Sequence, residues 1–514
     1  MFRNAGIENC NNIVIVLAKS CNIVTVPLHR KLKEKKSYYK LNSKIQEMTL
    51  KSLAIIALGL VSSAVAFSQE EKVDTLNVLD QRVTTIEDQV LTSKKLKISG
   101  YLQAQWQSSQ IDSVGKGSQD MKVGTAKSGS ETTDMNRFGI RRGRIKVAYE
   151  DFGCTGVLQF DLTEKGLALK DAYLNILDPW TGYVSVKGGV FDRPFGYEIS
   201  YSSSRRESPE RSRIFQTLFP DERDLGAMLT LQAPKTSPWN VLKLEAGLFA
   251  GNGIYQDNDS KKDFMGHLSY NKTLTSNMKI GAGASLYDGS VAQTNVNVYT
   301  VDNGAFVLNS NTTNKNSFAK RQYFGLDGQF VLSSALGLTT IRAEYIWGQQ
   351  PGRSDNSSSP KSGLLPGMDS SNKDVVDKTT YANNPLTNVV SATIPTTPIG
   401  TDTYIRKMAG CYVHFIQDIA DTKHSVVVKY DWYDPNTNIA ANQIGVSGTN
   451  TSKADVAYST LGLGYMYRMN NNIRIMAYYD IVSNEKVNVV STALKGLTKN
   501  LADNLVTVRV QYKF

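Results

Sequence analysis

Apolar and polar residues alternate along most of the chain from Leu96 onward, in segments of about ten residues that are separated by turn residues. The last segment shows this most clearly, because Val508 and Val510 fall on one face while Thr507 and Arg509 fall on the other. A period of two places successive side chains on opposite faces of a β-strand. The pattern therefore predicts strands that have one apolar face and one polar face.

Sixteen segments follow this rule, and an even number of strands is typical of single-chain bacterial barrels. The predicted strands are 96–106, 138–149, 155–162, 170–177, 183–190, 225–233, 241–249, 263–270, 278–286, 321–332, 338–347, 404–416, 424–433, 456–467, 472–482 and 504–514.

The connections between these strands alternate between short turns and longer loops. The longer set is rich in Gly, Ser, Asn and Thr and comprises 107–137, 191–224, 287–320, 348–403, 434–455 and 483–503, with shorter members at 163–169 and 250–262. Short turns on one rim and long loops on the other are typical of outer-membrane barrels. The alternation therefore predicts a transmembrane antiparallel β-barrel over 96–514, with both ends of the sheet on the short-turn side.

The lipid environment explains why a closed barrel is needed. Every backbone amide and carbonyl in hydrocarbon must be paired within the protein, so a spanning sheet has to close on itself. Sixteen strands enclose a lumen wide enough for water. Trp106, Trp180, Trp347 and Trp432 lie near predicted strand ends, where aromatic residues suit the membrane interface, although ordinary β-propensity is the alternative explanation.

The segment before the strands is typical of an export signal. Leu53–Phe67 is an uncharged apolar run that follows Lys51 and ends in small residues. This order is typical of a secretory signal peptide rather than a membrane span. We therefore predict a signal peptide at 48–68, with Met48 as the true start of translation. Residues 1–47 are then either sequence upstream of that start, included in error, or an extended leader.

Behind the signal, apolar residues recur at steps of three and four. They are Leu76, Leu79, Val83, Ile86 and Val90. This seam predicts a short coiled-coil helix at 73–95. Because so short a coiled coil barely offsets the cost of helix nucleation, association in an oligomer is one interpretation and a monomeric helix against the body of the protein is the other.

The charge of the chain changes when the leader is set aside. The 514 residues include 58 Lys and Arg and 47 Asp and Glu, a formal net charge of +11. Residues 1–68 hold ten of the basic and three of the acidic residues, so 48 and 44 remain and the net charge falls to +4. The argument from bulk charge for a nucleic-acid partner is thereby lost.

Histidine and cysteine are scarce. Beyond the leader, Cys154 and Cys411 lie in predicted strands, where buried or lipid-facing thiols are favoured over a disulfide or a metal site. His267, His414 and His424 sit in no recognisable nucleophile motif. We therefore expect neither an enzyme nor a cofactor or metal.

The most highly charged connection is the third long loop, predicted at 191–224. Its basic residues are Arg193, Arg205, Arg206, Arg211, Arg213 and Arg223, and its acids are Asp192, Glu198, Glu207, Glu210, Asp221, Glu222 and Asp224. Guanidinium groups bind phosphate and carboxylate oxygens bidentately. A loop folded into the lumen and held by Arg–acid pairs is one interpretation, and a series of free anion sites is the other.

Basic residues also fall on the polar faces of the predicted strands. The candidates for an anion path are Arg142, Arg144, Lys146, Lys187, Arg342 and Lys429, and Arg474 and Arg509 share those faces. Rings of Arg and Lys favour anions in a pore. Basic and acidic lumen residues in pairs, as in a pore without preference, are the alternative.

One block of motifs resembles the phosphate-selective porin O and P family. It runs through Arg141–Arg144, Gln159–Asp161, Lys170–Tyr173, Lys187–Phe191, Arg193–Gly196, Glu210–Ser212 and Glu222–Gly226. The resemblance covers about 138–230 and the terminal strand. It implies a sixteen-stranded trimeric barrel with an inward-folded third loop and basic side chains along an anion path. By position it implies Arg193, Arg211 and Arg223 as loop framework, and Arg142 and Arg144 as wall residues.

Together these features predict a porin of the Gram-negative outer membrane, embedded in lipid, through which small hydrophilic solutes diffuse. We expect a preference for phosphate or other small anions, a homotrimer and no nucleic-acid partner. Two alternatives stay open. One is a non-selective general porin, and the other is a receptor or adhesin that acts through the loop at 348–403, whose composition is typical of a flexible surface loop.

Overall fold

The computed structural model describes residues 95–110, 135–164, 166–255, 257, 259–293, 295–360, 402–490, 494 and 496–514. The chain divides into two units, 1–87 and 88–514, and all described residues belong to the second. The signal peptide predicted at 48–68, and all but the last residue of the helix predicted at 73–95, lie outside the described residues.

Within the described residues, sixteen strands form a closed antiparallel barrel, which confirms the predicted fold class. They are β1 (Leu96–Ser109), β2 (Met135–Asp151), β3 (Cys154–Thr163), β4 (Gly166–Leu177), β5 (Val184–Asp192), β6 (Arg223–Gln232), β7 (Leu242–Phe249), β8 (Asp263–Thr275), β9 (Met278–Ala292), β12 (Phe318–Ser334), β13 (Gly337–Gly352), β14 (Thr403–Asp418), β15 (His424–Asp434), β16 (Tyr458–Arg468), β17 (Ile473–Asn484) and β18 (Leu505–Lys513). Two further strands, β10 (Asn297–Asp302) and β11 (Ala305–Ser310), lie outside this ring.

The first and last strands close the barrel. β1 pairs with β18 from Tyr101 opposite Lys513 to Ser109 opposite Leu505, and its other edge pairs with β2. Every other barrel strand pairs with its neighbour along the chain, with β9 joined directly to β12. No strand edge of the ring is therefore left to face hydrocarbon.

The alternation along each strand separates the two environments. On β18, the side chain of Val508 is 36% exposed on the outer face, whereas Thr507 is fully buried and Arg509 is 3% exposed on the inner face. Outward Val, Leu, Ile and aromatic residues form an apolar belt. This belt matches the lipid-facing band of a transmembrane barrel.

The hairpin β10–β11 lies in the predicted loop 287–320, where the sequence analysis expected no strand. Its turn residues Asn303 and Gly304 have positive φ angles of 47° and 76°. Asn-Gly at the centre of a two-residue hairpin loop is the strongest local signal for such a turn. The sequence predicted only a long connection here, and this hairpin was missed.

This hairpin reaches across the long-loop mouth of the barrel. β10 pairs in parallel with the long-loop end of β14, where β14 extends beyond its pairing with β15. The pairs run from Val298 opposite Thr403 to Thr300 opposite Ile405. The rings of Tyr299 and Tyr404 stack with their centroids 4.4 Å apart. Because β12 and β13 lie between the root of the hairpin and β14, the hairpin covers part of the mouth.

The barrel wall is not uniform around its circumference. Strands β4 to β7 have 8 to 12 residues, whereas β8, β9 and β12 to β14 have 13 to 17. The strand residues that face outward on β4 to β7 are all Leu, Ile, Val, Ala or Gly. Outward aromatic residues occur on other strands, including Trp106, Phe264, Trp347 and Tyr430. We call β4 to β7 the aliphatic sector.

Helical structure is limited to short segments in the described residues. The α-helix α1 spans Arg213–Leu218 within the third long loop. No helix in this part of the chain has the length and apolar character needed to cross a membrane.

The outward face of β18 offers a test of the lipid assignment. We expect Val508→Arg to destabilise the protein by about 2–4 kcal/mol, since a guanidinium near the middle of the apolar belt loses its hydration. Urea unfolding of protein in lipid vesicles, followed by tryptophan fluorescence, measures this loss.

The matched control is Val307→Arg on β11, where the same substitution lies on the hairpin outside the barrel wall. A surface substitution of this kind changes stability by no more than about 0.5 kcal/mol. Equal losses for the two variants would contradict a lipid-facing β18.

Candidate functional site

The third long loop occupies the lumen. It runs over 193–222, slightly shorter than the predicted 191–224, because Phe191 pairs with Asp224 and Asp192 with Arg223 as a continuation of β5 and β6. The name third loop is used below for 193–222.

Hydrogen bonds tie the third loop to strands on all sides of the barrel. Gly196 N donates to Ser285 Oγ on β9 at 2.8 Å, and Gln103 Nε2 on β1 donates to Ser203 O at 3.1 Å. Arg474 on β17 donates to Arg205 O at 3.1 Å. Since β9 lies on the opposite side of the ring from β1 and β17, which are separated only by β18, the loop crosses the lumen rather than lining one wall.

A carboxylate on β13 holds the first turn of the loop. Glu344 accepts hydrogen bonds from the backbone amides of Tyr197 at 2.9 Å and Glu198 at 2.6 Å, and from the hydroxyl of Tyr412. Gly196 has a φ of 63°, and a Cβ there would lie 2.2 Å from a Glu344 oxygen. Only glycine therefore fits both the backbone conformation and the approach to Glu344.

The loop fills one side of the lumen with apolar contacts. Its buried Phe195 and Phe219 have ring centroids 4.9 Å apart, and Phe219 contacts Tyr287 and Tyr323 on the inner wall. The full buried cluster contains Phe191, Phe195, Ile199, Ile214, Phe215, Leu218, Phe219, Met228, Phe249, Met265, Tyr287, Tyr323, Ile346, Met408, Tyr412 and Tyr433. A second, smaller inward apolar cluster lies on β14 to β17 and contains Ile416, Val427, Met466, Met476 and Tyr478, and the rest of the inner wall is mainly polar.

Glu210 is the main ionic anchor of the loop on the polar side. Its carboxylate accepts from Arg141 Nε at 2.6 Å and Nη2 at 2.7 Å, from Arg142 Nη2 at 3.1 Å and from Arg509 Nη2 at 3.2 Å. Burial alone would raise the pKa of Glu210, but the charges of Arg141 and Arg142 outweigh it and hold this pKa well below its usual value. Glu210 therefore remains ionised throughout the neutral range.

A β-bulge makes this anchor possible. Gln103 on β1 pairs with Arg142, while the next residue, Ala104, pairs with Ile140, so Arg141 is an extra residue in β2. A bulge lets two successive side chains turn to the same face. A second bulge, where Gln159 pairs with Asp171 and Phe160 with Leu169, makes Lys170 the extra residue in β4.

Most of the predicted site residues are engaged in ion pairs. Arg193 pairs with Asp224 at 3.1 Å, Arg223 with Asp171 at 3.0 Å, and Arg211 with Glu222. On the wall, Arg144 pairs with Asp161 at 3.3 Å, Arg342 with Glu207 at 2.7 Å and Lys429 with Glu198 at 3.0 Å. Burial alone would raise the pKa of Glu198. The charge of Lys429 and of the other cationic groups around it outweighs burial and holds this pKa below its usual value. These pairs hold the loop and the wall together.

Three loop arginines lack such partners within the described residues. Arg206 is 2% exposed and Arg213 is 5% exposed, and none of their guanidinium nitrogens makes a hydrogen bond. The Arg213 guanidinium instead stacks over the ring of Tyr458, 4.3 Å from its centroid. Arg205 is exposed.

A cavity of about 270 Å³ lies on the short-turn side of the loop. Its lining includes Tyr101 at the start of β1, Lys187 near the start of β5 and Lys513 at the end of β18. Lys146 also lines it and makes no ion pair or hydrogen bond within the described residues, while Lys187 Nζ lies 5.0 Å from the ring centroid of Tyr173. We call this cavity the basic chamber.

The described histidines and cysteines lie on β3, β8, β14 and β15. Cys154 and Cys411 are free thiols. His267 contacts Asp327 with 3.0 Å between Nε2 and Oδ2, and His424 Nδ1 lies 2.5 Å from the Tyr465 hydroxyl. No group of three or more His, Cys, Asp or Glu residues suited to a metal occurs in the described part of the chain.

Sequence reasoning missed two features of this site. Alternation cannot show that Arg141 and Lys170 turn inward, because each lies at a bulge that breaks the period. Alternation also predicts polar inner faces, whereas Tyr287 and Tyr323 face inward under the third loop. The adjacent Arg141 and Arg142, and the run of Phe and Leu in the loop, were the available signals.

Comparison with known proteins gives no family. No family model matches the sequence, and no curated protein matches it. Among solved structures, OprB of Pseudomonas putida at high pH is 7% identical and has a TM-score of 0.48, with 83% of this chain and 96% of that chain covered. The outer membrane channel DcaP of Acinetobacter baumannii is 11% identical with a TM-score of 0.44, covering 82% and 97%. OmpF of Salmonella typhi in complex with daunomycin has the same values.

These likenesses are too low to transfer any activity to this chain. The fold assignment rests on its own strand pairing, which defines a transmembrane β-barrel whose lumen is crossed by a folded loop.

The ionic anchor at Glu210 leads to a prediction about stability. We expect Glu210→Gln to lower the free energy of unfolding at pH 7 by about 3 kcal/mol, because it leaves buried guanidinium groups without their carboxylate. The folded pKa of Glu210 is lowered, so this stabilisation is fully present above the unfolded value of about 4.3 and is lost as the pH falls toward the folded value. Urea midpoints measured from pH 7 down to pH 3 should therefore converge for the parent and the variant.

The control is Glu150→Gln. Glu150 lies on β2, as Arg141 does, and the substitution removes its exposed ion pair with Lys97. An exposed pair contributes no more than about 1 kcal/mol. A Glu210→Gln protein as stable as Glu150→Gln at pH 7 would show that Glu210 does not anchor the loop.

Proposed function

We propose that this protein is an outer-membrane porin for passive diffusion of small hydrophilic solutes, with a preference for anions. The basic chamber is the single observation that carries the preference, because Lys146 and Lys187 there have no carboxylate partner among the described residues. The signal peptide inferred at 48–68 provides the route of export.

Passive diffusion is supported by the polar side of the lumen. Arg144, Lys146 and Gln159 line the basic chamber with polar groups from the wall, and Ser200, Ser202 and Ser204 line it from the third loop. Amide and guanidinium groups of this kind replace part of the hydration of a passing solute. The apolar cluster under the third loop narrows the opposite side, which restricts passage to small solutes.

The anion preference follows from the balance of charge in the basic chamber. Its lining has six cationic residues, Arg144, Lys146, Lys187, Arg211, Arg223 and Lys513, and only two acidic ones, Asp171 and Asp192. A cavity lined mainly by one sign of charge raises the local concentration of the opposite ion. Because Arg142 and Arg144 are paired with acids, the two lysines are the stronger candidates for the selective field.

Removal of the two lysine charges tests the preference. Planar-bilayer recordings of the purified protein should show stepwise conductance, and reversal potentials in a KCl gradient should report selectivity for chloride over potassium. A unit charge about 8 Å from an ion in water changes its energy by about 0.5 kcal/mol, so removal of both charges in Lys146→Gln with Lys187→Gln weakens the attraction of chloride by about 1 kcal/mol and should lower the chloride-to-potassium permeability ratio by at least about five-fold. Phosphate added against chloride separates a phosphate-preferring pore from one that accepts small anions in general.

Lys272→Gln is the matched control, since Lys272 is exposed near the short-turn end of β8. A potassium preference in the parent would contradict the anion assignment, and unchanged selectivity in the double variant would place the filter elsewhere. A barrel that is closed to ions but binds a ligand tightly would favour the receptor alternative.

We further propose a homotrimer that associates through the aliphatic sector. Aromatic girdles mark where a barrel meets the membrane interface, and the strands of this sector carry no outward aromatic residue. The exposed aromatic residues beside these strands, Trp180, Tyr183 and Trp239, lie in the short turns at the base of the sector. Small outward residues, such as Gly188 and Ala227, suit close packing against another barrel rather than contact with lipid.

A bulky residue distinguishes packing against protein from contact with lipid. We expect Ala227→Trp to shift the detergent-solubilised protein from trimer to monomer, because overpacking costs about 1–3 kcal/mol in each interface. The mass of the complex, measured by light scattering, reports the change.

Ala477→Trp on β17 is the control, because Ala477 is equally outward but lies in a sector with outward Tyr residues, where lipid accommodates an indole. The proposal is wrong if the parent is a monomer, or if Ala477→Trp dissociates the complex and Ala227→Trp does not.

A further inference from the structure

A second cavity, of about 40 Å³, lies on the other side of the third loop. It is lined by loop residues that include Arg213 and by inward residues of β15 to β17, and Leu505 at the long-loop end of β18 also contributes. Arg211 lines both this cavity and the basic chamber, so the two are separated by the loop segment around Arg211. We call the second cavity the mixed-charge chamber.

Arg213 forms the cationic pole of this chamber. Its guanidinium is buried, and neither Nε nor the two terminal nitrogens donates a hydrogen bond. Stacking on Tyr458 fixes the plane of the guanidinium but satisfies none of its donors. A buried guanidinium without an acceptor is unusual, and a carboxylate is the group that satisfies it bidentately.

Asp431 and Asp480 form the anionic pole. Asp431, on β15, is 8% exposed, and its Oδ1 has no hydrogen-bond partner in the described residues. Asp480, on β17, makes no ion pair or hydrogen bond with any described residue. The buried hydroxyl of Tyr478 lines the same space and is also without a partner. Two carboxylates and a hydroxyl are suitable acceptors for an ammonium group.

The other charges in the chamber are already neutralised by contacts within the protein. Lys429 pairs with Glu198 at 3.0 Å, and Glu210 is bound by three arginines. Arg213 makes no side-chain ion pair with Asp431 or Asp480, although it interacts with both electrostatically. The open donors and the open acceptors therefore face the same cavity without satisfying one another.

We propose that the mixed-charge chamber binds the head group of an α-amino acid zwitterion. The solute carboxylate lies on the Arg213 guanidinium, and its ammonium lies between Asp431 and Asp480 near the Tyr478 hydroxyl. The side chain of the solute extends into the wider lumen, since the cavity accommodates only a head group. This inference rests on the proposed pore function for the route of the solute, and it adds a solute class to that function.

Current block in planar bilayers tests the inference on the purified full-length protein. Glutamine added on the long-loop side should interrupt the KCl current more than N-acetylglutamine, which lacks the ammonium, or glutaminamide, which lacks the carboxylate. We expect Asp480→Asn to raise the half-blocking concentration of glutamine at least ten-fold. Arg213→Gln should abolish the advantage of glutamine over glutaminamide.

Asp302→Asn on the exposed end of β10 is the matched control and should leave the block by glutamine unchanged. Equal block by all three solutes, or equal block in the parent and Asp480→Asn, would overturn the inference while stepwise KCl conductance still supports the pore. If no conductance appears, the pore function fails, and the inference is then tested by whether glutamine, but neither analogue, raises the urea midpoint of the parent and not of Asp480→Asn.

Discussion

Hydrocarbon offers no hydrogen-bond partner to a backbone amide, and this constraint governs the barrel. It requires β1 and β18 to pair although they lie at opposite ends of the sheet. It also explains the sharp contrast along β18, where Val508 and Arg509 are neighbours in sequence but face lipid and lumen. Outside the bulges, the position of a side chain in a strand therefore decides whether it faces lipid or the inside of the barrel.

Closure creates a second problem, because a sixteen-stranded ring is too wide for wall side chains to fill. The third loop solves it by placing a small apolar core inside the barrel, with Phe195 and Phe219 packed against inward Tyr287 and Tyr323. Its other side is held by charge, since Glu210 joins arginines of β2 and β18. Apolar packing on one side and ionic bonds on the other leave two chambers, one on each side of the loop.

The sequence predicted the repeating part of this structure and not its exceptions. All sixteen barrel strands follow from a period of two, which is a local property of the chain. The inward direction of Arg141 depends on a bulge, and the partners of Glu210 include Arg509, 299 residues away, so neither can be found by local pattern. The hairpin turn at Asn303–Gly304 could have been predicted from the sequence. The strands on each side of it have only six residues each, which is a weak alternation signal.

Arginine and lysine differ in how readily they form the fixed ion pairs inside this barrel, and the difference has a physical reason. A guanidinium binds a carboxylate with two parallel hydrogen bonds, so arginine suits the fixed pairs that hold the third loop, as in Arg141 with Glu210. An ammonium is a compact, strongly hydrated charge that is less suited to such rigid pairing. Lys146 and Lys187 remain without acids, and Lys187 instead lies beside the rings of Tyr173 and Phe191. Under the proposed function, the charges that the fold does not use for its own stability are the ones that act on a solute. By the same argument, the buried Arg206 and Arg213 are exceptions, because their guanidinium groups have no acceptor in the described residues; Arg213 also lines the mixed-charge chamber, which is why the proposed solute site is placed there.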